Sequence, residues 1–213
     1  MSAAKRPARS ERLALIEEHV RALSQCTRCP NMGKPVVVGR PVVSPIVFVG
    51  QAPGDKEPVL GKPFAWTAGR NLFKWFGSLG VDEETFRDNV YMAAVCRCFP
   101  GKNPKGGDRV PSEEEIANCA PWLERELEIC RPELIIPVGK LAIARFLAEA
   151  PLVETIGKKH AWTHAGRAID VIPLPHPSGA STWYHVEPGK TLTKKALALI
   201  GKHPAWAKIK GAA

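Results

Sequence analysis

The chain has 213 residues, of which 45% are hydrophobic and 24% are charged, and this composition excludes a disordered or membrane-embedded protein. Its formal net charge of +9 favours a polyanionic partner, most simply nucleic acid. No apolar run approaches the ~18 residues of a membrane span, and the basic N-terminus lacks the apolar segment of a secretory signal. We therefore expect one cytoplasmic domain over residues 1–213, with residues 1–12 and 203–213 as flexible basic tails.

The first predicted element is a helix over residues 8–25, because Leu13, Ile16, Val20 and Leu23 recur at helical spacing. The sequence shows further helical patterns at residues 67–80, 112–130 and 139–150.

The second of these later patterns carries its own start signal. Ser112 is followed three residues later by Glu115, which is the spacing of a capping box. Pro121, inside the same segment, should kink the helix or start a second one.

Four apolar, β-branched runs alternate with these helices, at residues 45–50, 89–97, 133–139 and 168–174. They are bounded by Gly, Pro or Asp and are apolar on both faces, which is typical of buried parallel strands. Strands that alternate with helices predict an α/β fold. We expect a three-layer sandwich in which helices flank a central, four-stranded, mainly parallel sheet.

The first strand ends in VFVGQAPGDKEP, residues 47–58, where glycines and a proline fix a tight turn. Backbone N–H groups in such a turn can face a ligand. Ligands of parallel sheets bind beyond the carboxyl ends of the strands. The loops that begin at Gly50, Cys98, Gly139 and Pro175 should therefore share one face.

Six cysteines stand at positions 26, 29, 96, 98, 119 and 130. Without a signal peptide, metal binding is the better interpretation than disulfides. Cys26 and Cys29 lie one tight turn apart, so both can reach one centre. Cys119 lies in the capped helix. Cys96 and Cys98 are two apart on a strand and would face the same side, so spacing alone does not choose between them.

Four thiolates suit either Zn²⁺ or an iron–sulfur cluster. Zinc ribbons usually show two Cys-x2-Cys knuckles, whereas here Cys98 and Cys119 are separated by twenty residues. This spacing favours a cluster. We expect a structural centre, because no ligand position is left open for a substrate.

Three ordered motifs and the four cysteines resemble the iron–sulfur uracil-DNA glycosylases of families four and five. The motifs are VGQAPGDKE with GKPFAWTAGRNL, NVYMAAVCRCFPGKN, and PHPSGAS. The resemblance runs from about Cys26 to Lys195, which is most of the chain.

The resemblance implies a 4Fe–4S cluster held by Cys26, Cys29, Cys98 and Cys119, with zinc as the alternative metal. The family's third ligand precedes a proline-containing loop, which CFPGKN at Cys98 matches better than Cys96. The implied base-binding residues are Gln51 and Ala52 through their backbone, Phe64 as a stacking platform, Asn103 on the uracil edge, and His176 beside base and sugar. Ser178 is the implied phosphate contact.

The chain also departs from both families. Gln51 stands where family four has Glu, Ala94 replaces an asparagine of that family, and Thr67 falls where family five has Asp. The residue that activates water is therefore open among Asp55, Gln51 and Glu57. These differences also allow a distinct subgroup.

The resemblance implies a repair enzyme that binds uracil-containing DNA, hydrolyses the N-glycosidic bond, releases uracil and leaves an abasic site. The expected catalytic residues are Asp55, Gln51 and His176. Trp183 or Tyr184 is available to fill the gap left by the extruded base, unless both are core residues. We expect a monomer with no membrane partner.

Two alternatives remain from the sequence. One is a catalytically weak protein of the same fold that binds uracil-containing or abasic DNA. The other is a zinc-stabilised enzyme that binds nucleotides or phosphate with the same glycine turn.

Overall fold

A computed structural model describes residues 7–104, 106–179 and 181–211. The strands are β1 (Ile46–Gly50), β2 (Tyr91–Ala94), β3 (Leu134–Pro137), β4 (His160–His164) and β5 (Arg167–Val171). The helices are α1 (Arg9–Ser24), α2 (Glu57–Leu60), α3 (Thr67–Gly77), α4 (Glu83–Asn89), α5 (Glu113–Cys130), α6 (Lys140–Ile143), α7 (Leu152–Thr155), α8 (Gly189–Lys202) and α9 (Pro204–Lys210). A 3₁₀ turn covers Trp183–His185.

The five strands form one sheet in the order β2-β1-β3-β5-β4. All pairs are parallel except β4 with β5. The register sets Val49 beside Ala93 on one side and Pro137 on the other, so β1, β2 and β3 end together. The loops that leave these three strands consequently emerge side by side.

The expected α/β fold with flanking helices is confirmed, but the prediction of four strands is wrong, because the sheet has five and is mixed. The missed strand, β4, lies at the edge and alternates half-buried and exposed positions. It therefore lacks the continuous apolar run of β1 and β3. A tight turn with positive φ at Ala165 and Gly166 reverses the chain into β5.

The helix predictions held in part. The capping box at Ser112 is present, and α5 continues without a break through Pro121. The proline is exposed, and so is Ala117, whose carbonyl loses its intrahelical partner, so water can satisfy that group. Of the helix predicted over residues 139–150, only α6 forms as a regular helix.

A hydrophobic core lies on each face of the sheet. α1 and α5 cover one face and bury Ile16, Leu23, Leu123 and Leu127, together with the cysteines. α3, α4, α8 and α9 cover the other face, where Phe76, Phe86, Ile200 and Trp206 from these helices pack with Phe48 of β1.

Much of the two segments expected to be flexible tails is helical. α1 begins at Arg9, and α9 occupies residues 204–210. Trp206 in α9 is buried, with its ring centroid 5.3 Å from that of Phe76. The remaining parts of that prediction at residues 1–6 and 212–213 lie outside the described residues. No described helix is long and apolar enough to cross a membrane.

Candidate active site and thiol centre

The loops that follow β1, β2, β3 and β5 line one cavity of about 550 Å³. The segment that follows each of these strands contributes a residue to the cavity wall, namely Gln51, Pro100, Leu141 and His176. The prediction that the four loops share a face is therefore confirmed. This is the edge of the sheet at which parallel folds bind their ligands.

Phe64 forms part of the cavity wall in a backbone conformation that side chains rarely adopt, with φ of 53°. Its ring meets the Phe48 ring edge-on, with centroids 5.1 Å apart. A Cβ on Gly50 would lie 2.8 Å from this ring, so the glycine at the end of β1 gives the ring its space. Non-glycine residues in such strained positions cluster at ligand sites.

Two side chains hold the backbone around Phe64. Arg87 donates from Nη2 to the Phe64 carbonyl at 3.3 Å and from Nη1 to the Pro63 carbonyl at 2.9 Å. Glu57 accepts from the backbone N–H of Gly54 at 3.3 Å and also from the N–H groups of Phe64 and Ala65. Glu57 thereby joins the turn after β1 to the Phe64 segment.

The carboxyl group of Glu57 is almost completely buried and lies at the cavity wall. Burial raises its pKa to about 7, although the N–H donors and the Arg87 charge act in the opposite direction. Glu57 therefore exchanges its proton near neutral pH.

Gln51 lines the cavity, but its side-chain oxygen is already engaged. Oε1 accepts a hydrogen bond from the backbone N–H of Leu141 at 3.0 Å. Gly139 makes this approach possible, since a Cβ there would lie 2.7 Å from Cδ of Gln51. The side-chain NH₂ is therefore the polar group that Gln51 can still offer, and it is a donor. Ala52 follows Gln51 in the cavity wall.

His176 lines the cavity opposite this turn. Its Nδ1 accepts a hydrogen bond from the Ser178 backbone N–H at 3.3 Å, so the proton of a neutral ring is on Nε2. Burial lowers the pKa of His176, while the negative charge of Asp108 opposes that shift. The ring is thus a neutral N–H donor at neutral pH.

Two carboxylates line the cavity near the turn, and one lysine binds both. Lys102 Nζ lies 3.2 Å from Oδ2 of Asp55 and 2.7 Å from Oδ1 of Asp108. Both carboxylate side chains are a little under two-fifths exposed. The sequence analysis selected Asp55 but missed Asp108.

Asp108 lies in the loop after β2, and its Oδ2 would be 3.4 Å from a Cβ on Gly54. Its charge also acts on His176. The only local signal for this residue was its place in the basic segment PGKNPKGGDR, where it is the single acidic residue.

Among the described residues, only one of the other predicted site residues lies at the cavity. Ser178 lines the cavity. Asn103 is exposed at the tip of the loop after β2, where its backbone N–H donates to Gly107, and it is not among the described residues that line the cavity. Trp183 and Tyr184 pack against neighbouring elements, with the Tyr184 hydroxyl 3.2 Å from the Pro177 carbonyl.

Cys29, Cys98 and Cys119 are buried in the core on the α1–α5 face of the sheet, and Cys26 packs against that core. Burial raises the pKa of Cys98, and the neighbouring Cys119 and Cys26 add to that rise. Burial likewise raises the pKa of Cys29, with smaller contributions from the same two thiols.

Polar and cationic groups surround these thiols. Asn118 Nδ2 lies 3.8 Å from Cys29 Sγ, and Lys34 Nζ lies 3.7 Å from Cys98 Sγ. A hydrogen bond with Cys96 lowers the pKa of Cys119, and Arg97, which is buried and lies between Cys96 and Cys98 in the sequence, adds to that decrease. Such groups favour thiolates, which are the metal-binding form of cysteine.

The remaining cysteines differ from each other. Cys96 is fully buried and shares a side-chain hydrogen bond with Cys119, so it lies against the proposed ligands. Cys130 is a core residue whose Sγ lies 3.9 Å from the Val42 carbonyl, and burial raises its pKa to about 12. Among the described residues, no three His, Cys, Asp or Glu side chains converge closely enough to hold a single metal ion.

Arg97 is anchored by a buried network. Glu126, which is fully buried, binds the Arg97 guanidinium and accepts from the Tyr91 hydroxyl at 2.8 Å. Arg97 also donates from Nε to the Ala94 carbonyl at 2.9 Å. This network fixes the segment that carries Cys96 and Cys98.

Comparison with known proteins gives a consistent result. The family model described as the uracil DNA glycosylase superfamily matches residues 37–201. The type-4 uracil-DNA glycosylase of Thermotoga maritima is 33% identical over 180 residues, which cover 80% of this chain and 83% of that protein. The type-4 enzyme of Sulfurisphaera tokodaii is 32% identical over 141 residues, covering 63% of this chain and 60% of that protein. The type-5 uracil-DNA glycosylase of Pyrobaculum aerophilum is 28% identical over 195 residues, covering 76% and 82%.

Proposed function

Since this chain belongs to the uracil DNA glycosylase superfamily, we propose that it is a DNA-repair hydrolase that cleaves the N-glycosidic bond of uracil in DNA. It releases uracil and leaves an abasic site. The observation that carries this proposal is that Phe64, the turn after β1 and the neutral His176 all line the same cavity.

The uracil nucleotide enters this cavity after leaving the base stack, because the glycosidic bond is inaccessible inside a duplex. The Phe64 ring supplies a stacking surface, which is worth roughly 1–3 kcal/mol per base. Because Arg87, Glu57 and Gly50 already fix this segment, it loses little conformational entropy when the base binds.

His176 stabilises the leaving group. As the bond breaks, negative charge develops on the uracil oxygens, and the Nε2–H of the neutral imidazole donates a hydrogen bond to one of them. The Gln51 side chain adds a second donor, since Leu141 has already taken its oxygen. Gln51 therefore positions the base or the water and does not remove a proton.

A carboxylate must stabilise the cationic sugar and activate the incoming water. Asp55 and Asp108 both line the cavity and share Lys102. We favour Asp108, because its carboxylate lies beside Gly54 in the turn after β1 and its charge acts on His176. Asp55 remains the competing candidate.

Ser178 and Lys56 lie at the cavity and are suited to contact the DNA phosphates. Such contacts hold the strand without reading its sequence. The exposed Asn103 would reach uracil only if its loop closed over the cavity.

The thiol centre fits a 4Fe–4S cluster with Cys26, Cys29, Cys98 and Cys119 as ligands. Four thiolates on a cluster lie farther apart than four on one ion, so the lack of convergence on a single point favours the cluster over zinc. Lys34 and Arg97 would offset its negative charge. When bound, the cluster supplies a structural crosslink between the end of α1, the loop after β2 and α5.

The proposal is tested by single-turnover release of uracil from a labelled oligonucleotide, with a matched thymine oligonucleotide as the control. Rapid release from the uracil strand alone supports a glycosylase. Tight binding of the uracil strand without release contradicts it and supports the DNA-binding alternative.

A further inference from the structure

Some of the exposed apolar side chains of the protein line the cavity. Among the described residues, the large hydrophobic side chains that are exposed are Leu13, Val59, Leu60, Trp66, Val110, Val153 and Val186. Trp66 and Val110 line the cavity, and Val59 and Leu60 belong to α2, whose first residue, Glu57, also lines it. Apolar groups beside a cavity for a polyanion indicate an apolar partner at the same place.

The loop that follows His176 offers no such group. Its described residues up to the 3₁₀ turn, at positions 177–179 and 181–182, include no large apolar side chain. Tyr184 is buried and its hydroxyl reaches Pro177. Trp183 lies against the start of α8, since a Cβ on Gly189 would be 2.7 Å from its ring. Neither aromatic residue is placed to enter DNA.

Trp66 is placed differently. It precedes α3 and lines the cavity together with Ser178 and Ser181, yet its surface is 49% exposed. The Trp66 carbonyl accepts from the Arg70 N–H at 3.1 Å, which ties its backbone to the first turn of α3. The Arg70 guanidinium carbon lies 5.6 Å from the indole ring centroid. Arg70 thus makes a cation–π contact with the Trp66 ring. Arginine contacts of this kind add to the energy with which aromatic side chains stack on nucleobases.

Building on the proposed function, we infer that Trp66 stacks on a nucleobase of the duplex beside the extruded uracil and so keeps the helix open. An apolar side chain that enters a base step offsets the cost of unstacking. Trp66 is two residues from Phe64, so one rigid segment would hold both the extruded base and its former neighbour. The positive charge of Arg70 is suited to the phosphate between them.

This role requires Trp66 only where a stack must be opened. We therefore compare single-turnover excision from a uracil-containing duplex and from the same strand alone. For Trp66→Ala, we expect duplex excision to fall about 5- to 150-fold, the equivalent of roughly 1–3 kcal/mol, and single-strand excision to change less than about threefold. Trp66→Phe should retain most of the duplex rate.

The control is Val153→Ala, which removes an exposed apolar side chain in α7, outside the residues that line the cavity. It should leave both rates unchanged. Thermal unfolding of all variants separates a folding defect from a loss of stacking. Equal losses on duplex and single strand, or no loss on either, would overturn the inference.

A second measurement does not depend on catalysis. A 2-aminopurine base paired opposite the uracil should brighten when the wild-type protein binds the duplex and extrudes its partner, and Trp66→Ala should abolish that increase. If the wild type released no uracil from either substrate, the proposed function would fail, and this fluorescence comparison would still decide the role of Trp66. Equal brightening by both proteins would contradict it.

Discussion

Gly69 lies directly beneath the carbonyl group of Phe64, so that a Cβ at position 69 would be 1.7 Å from the Phe64 oxygen. This contact is with backbone, which cannot rotate away as a flexible side chain would. Helix α3 and the strained Phe64 segment therefore fit together only because residue 69 has no side chain.

We expect Gly69→Ala to displace Phe64 and to lower both uracil excision and stability, the latter by about 1–3 kcal/mol or more. Gly77→Ala in the same helix is the matched control, because its Cβ would meet nothing within 4 Å. That change should raise the free energy of unfolding by roughly 0.5–1 kcal/mol. Urea unfolding and single-turnover kinetics measure both effects, and wild-type activity in Gly69→Ala would contradict this account.

The raised pKa of Glu57, about 7 against an ordinary 4.5, predicts how stability depends on pH. Between these values the folded state holds a proton that the unfolded state has lost, so stability falls as the pH rises from 4.5 towards 7. At 1.36 kcal/mol per pKa unit the loss is roughly 3 kcal/mol. Glu57→Gln should remove this decrease. Urea unfolding at pH 5 and pH 8 measures it, and equal pH dependence in both proteins would refute the assignment.

Single substitutions distinguish the roles of Asp55 and Asp108 at the cavity. We expect Asp108→Asn to lower single-turnover excision by about 10²–10⁴-fold, the usual effect of losing the group that activates water. Asp55→Asn should cost much less and should not weaken DNA binding, because it removes a negative charge and frees Lys102 for the phosphates. Lys102→Met, which releases both carboxylates, is the control for the ion pairs. The reverse order of effects would assign the role to Asp55.

In the proposed mechanism His176 donates from a neutral ring, so its replacement has a defined consequence. His176→Ala should lower the excision rate by about 10²–10³-fold with little change in DNA binding, since one donor to a developing anion is lost. Because the pKa of His176 is lowered from its usual 6.5, the ring gains its second proton only below that pH. The wild-type rate should therefore show no step from this ring between pH 7 and 8. A titration of the ring followed by NMR in that range would contradict the neutral form.

The proposed cluster predicts which cysteine variants keep iron. Cys98→Ser should lose the iron and the broad absorbance near ~400 nm that iron–sulfur proteins show, whereas Cys96→Ser should keep both. Cys130→Ala, a change in the core beyond the thiol centre, should also keep iron. Metal analysis of the purified proteins measures this directly. Loss of iron in Cys96→Ser with retention in Cys98→Ser would exchange the two assignments.

Structural features that depend on a few neighbouring residues were predictable from the sequence. The turn after β1, the capping box at Ser112 and the four loops at one edge all depend on local residue order or on a general rule of parallel sheets. The motif GKPF identified Phe64 as important. Its positive φ did not follow from the motif, because Gly50, Gly69 and Arg87 impose that conformation from elsewhere in the fold.

The missed features depend on tertiary contacts. β4 is an edge strand whose alternating pattern is satisfied only by pairing with β5. Asp108 became a site residue because its loop folds back towards Gly54 and His176. α9 exposes Lys208 and Lys210 and therefore resembles a basic tail, yet its Trp206 and Ile209 are buried.

Trp206 also determines at which point of synthesis the aromatic core can be completed. Its ring packs on Phe76 and Phe86, and Phe76 in turn meets Phe48, which supports Phe64. β3, β4 and β5 are all translated between Phe86 and Trp206. A nascent chain therefore holds an open aromatic core until α9 leaves the ribosome. The ring contacts that support Phe64 are therefore completed late in translation.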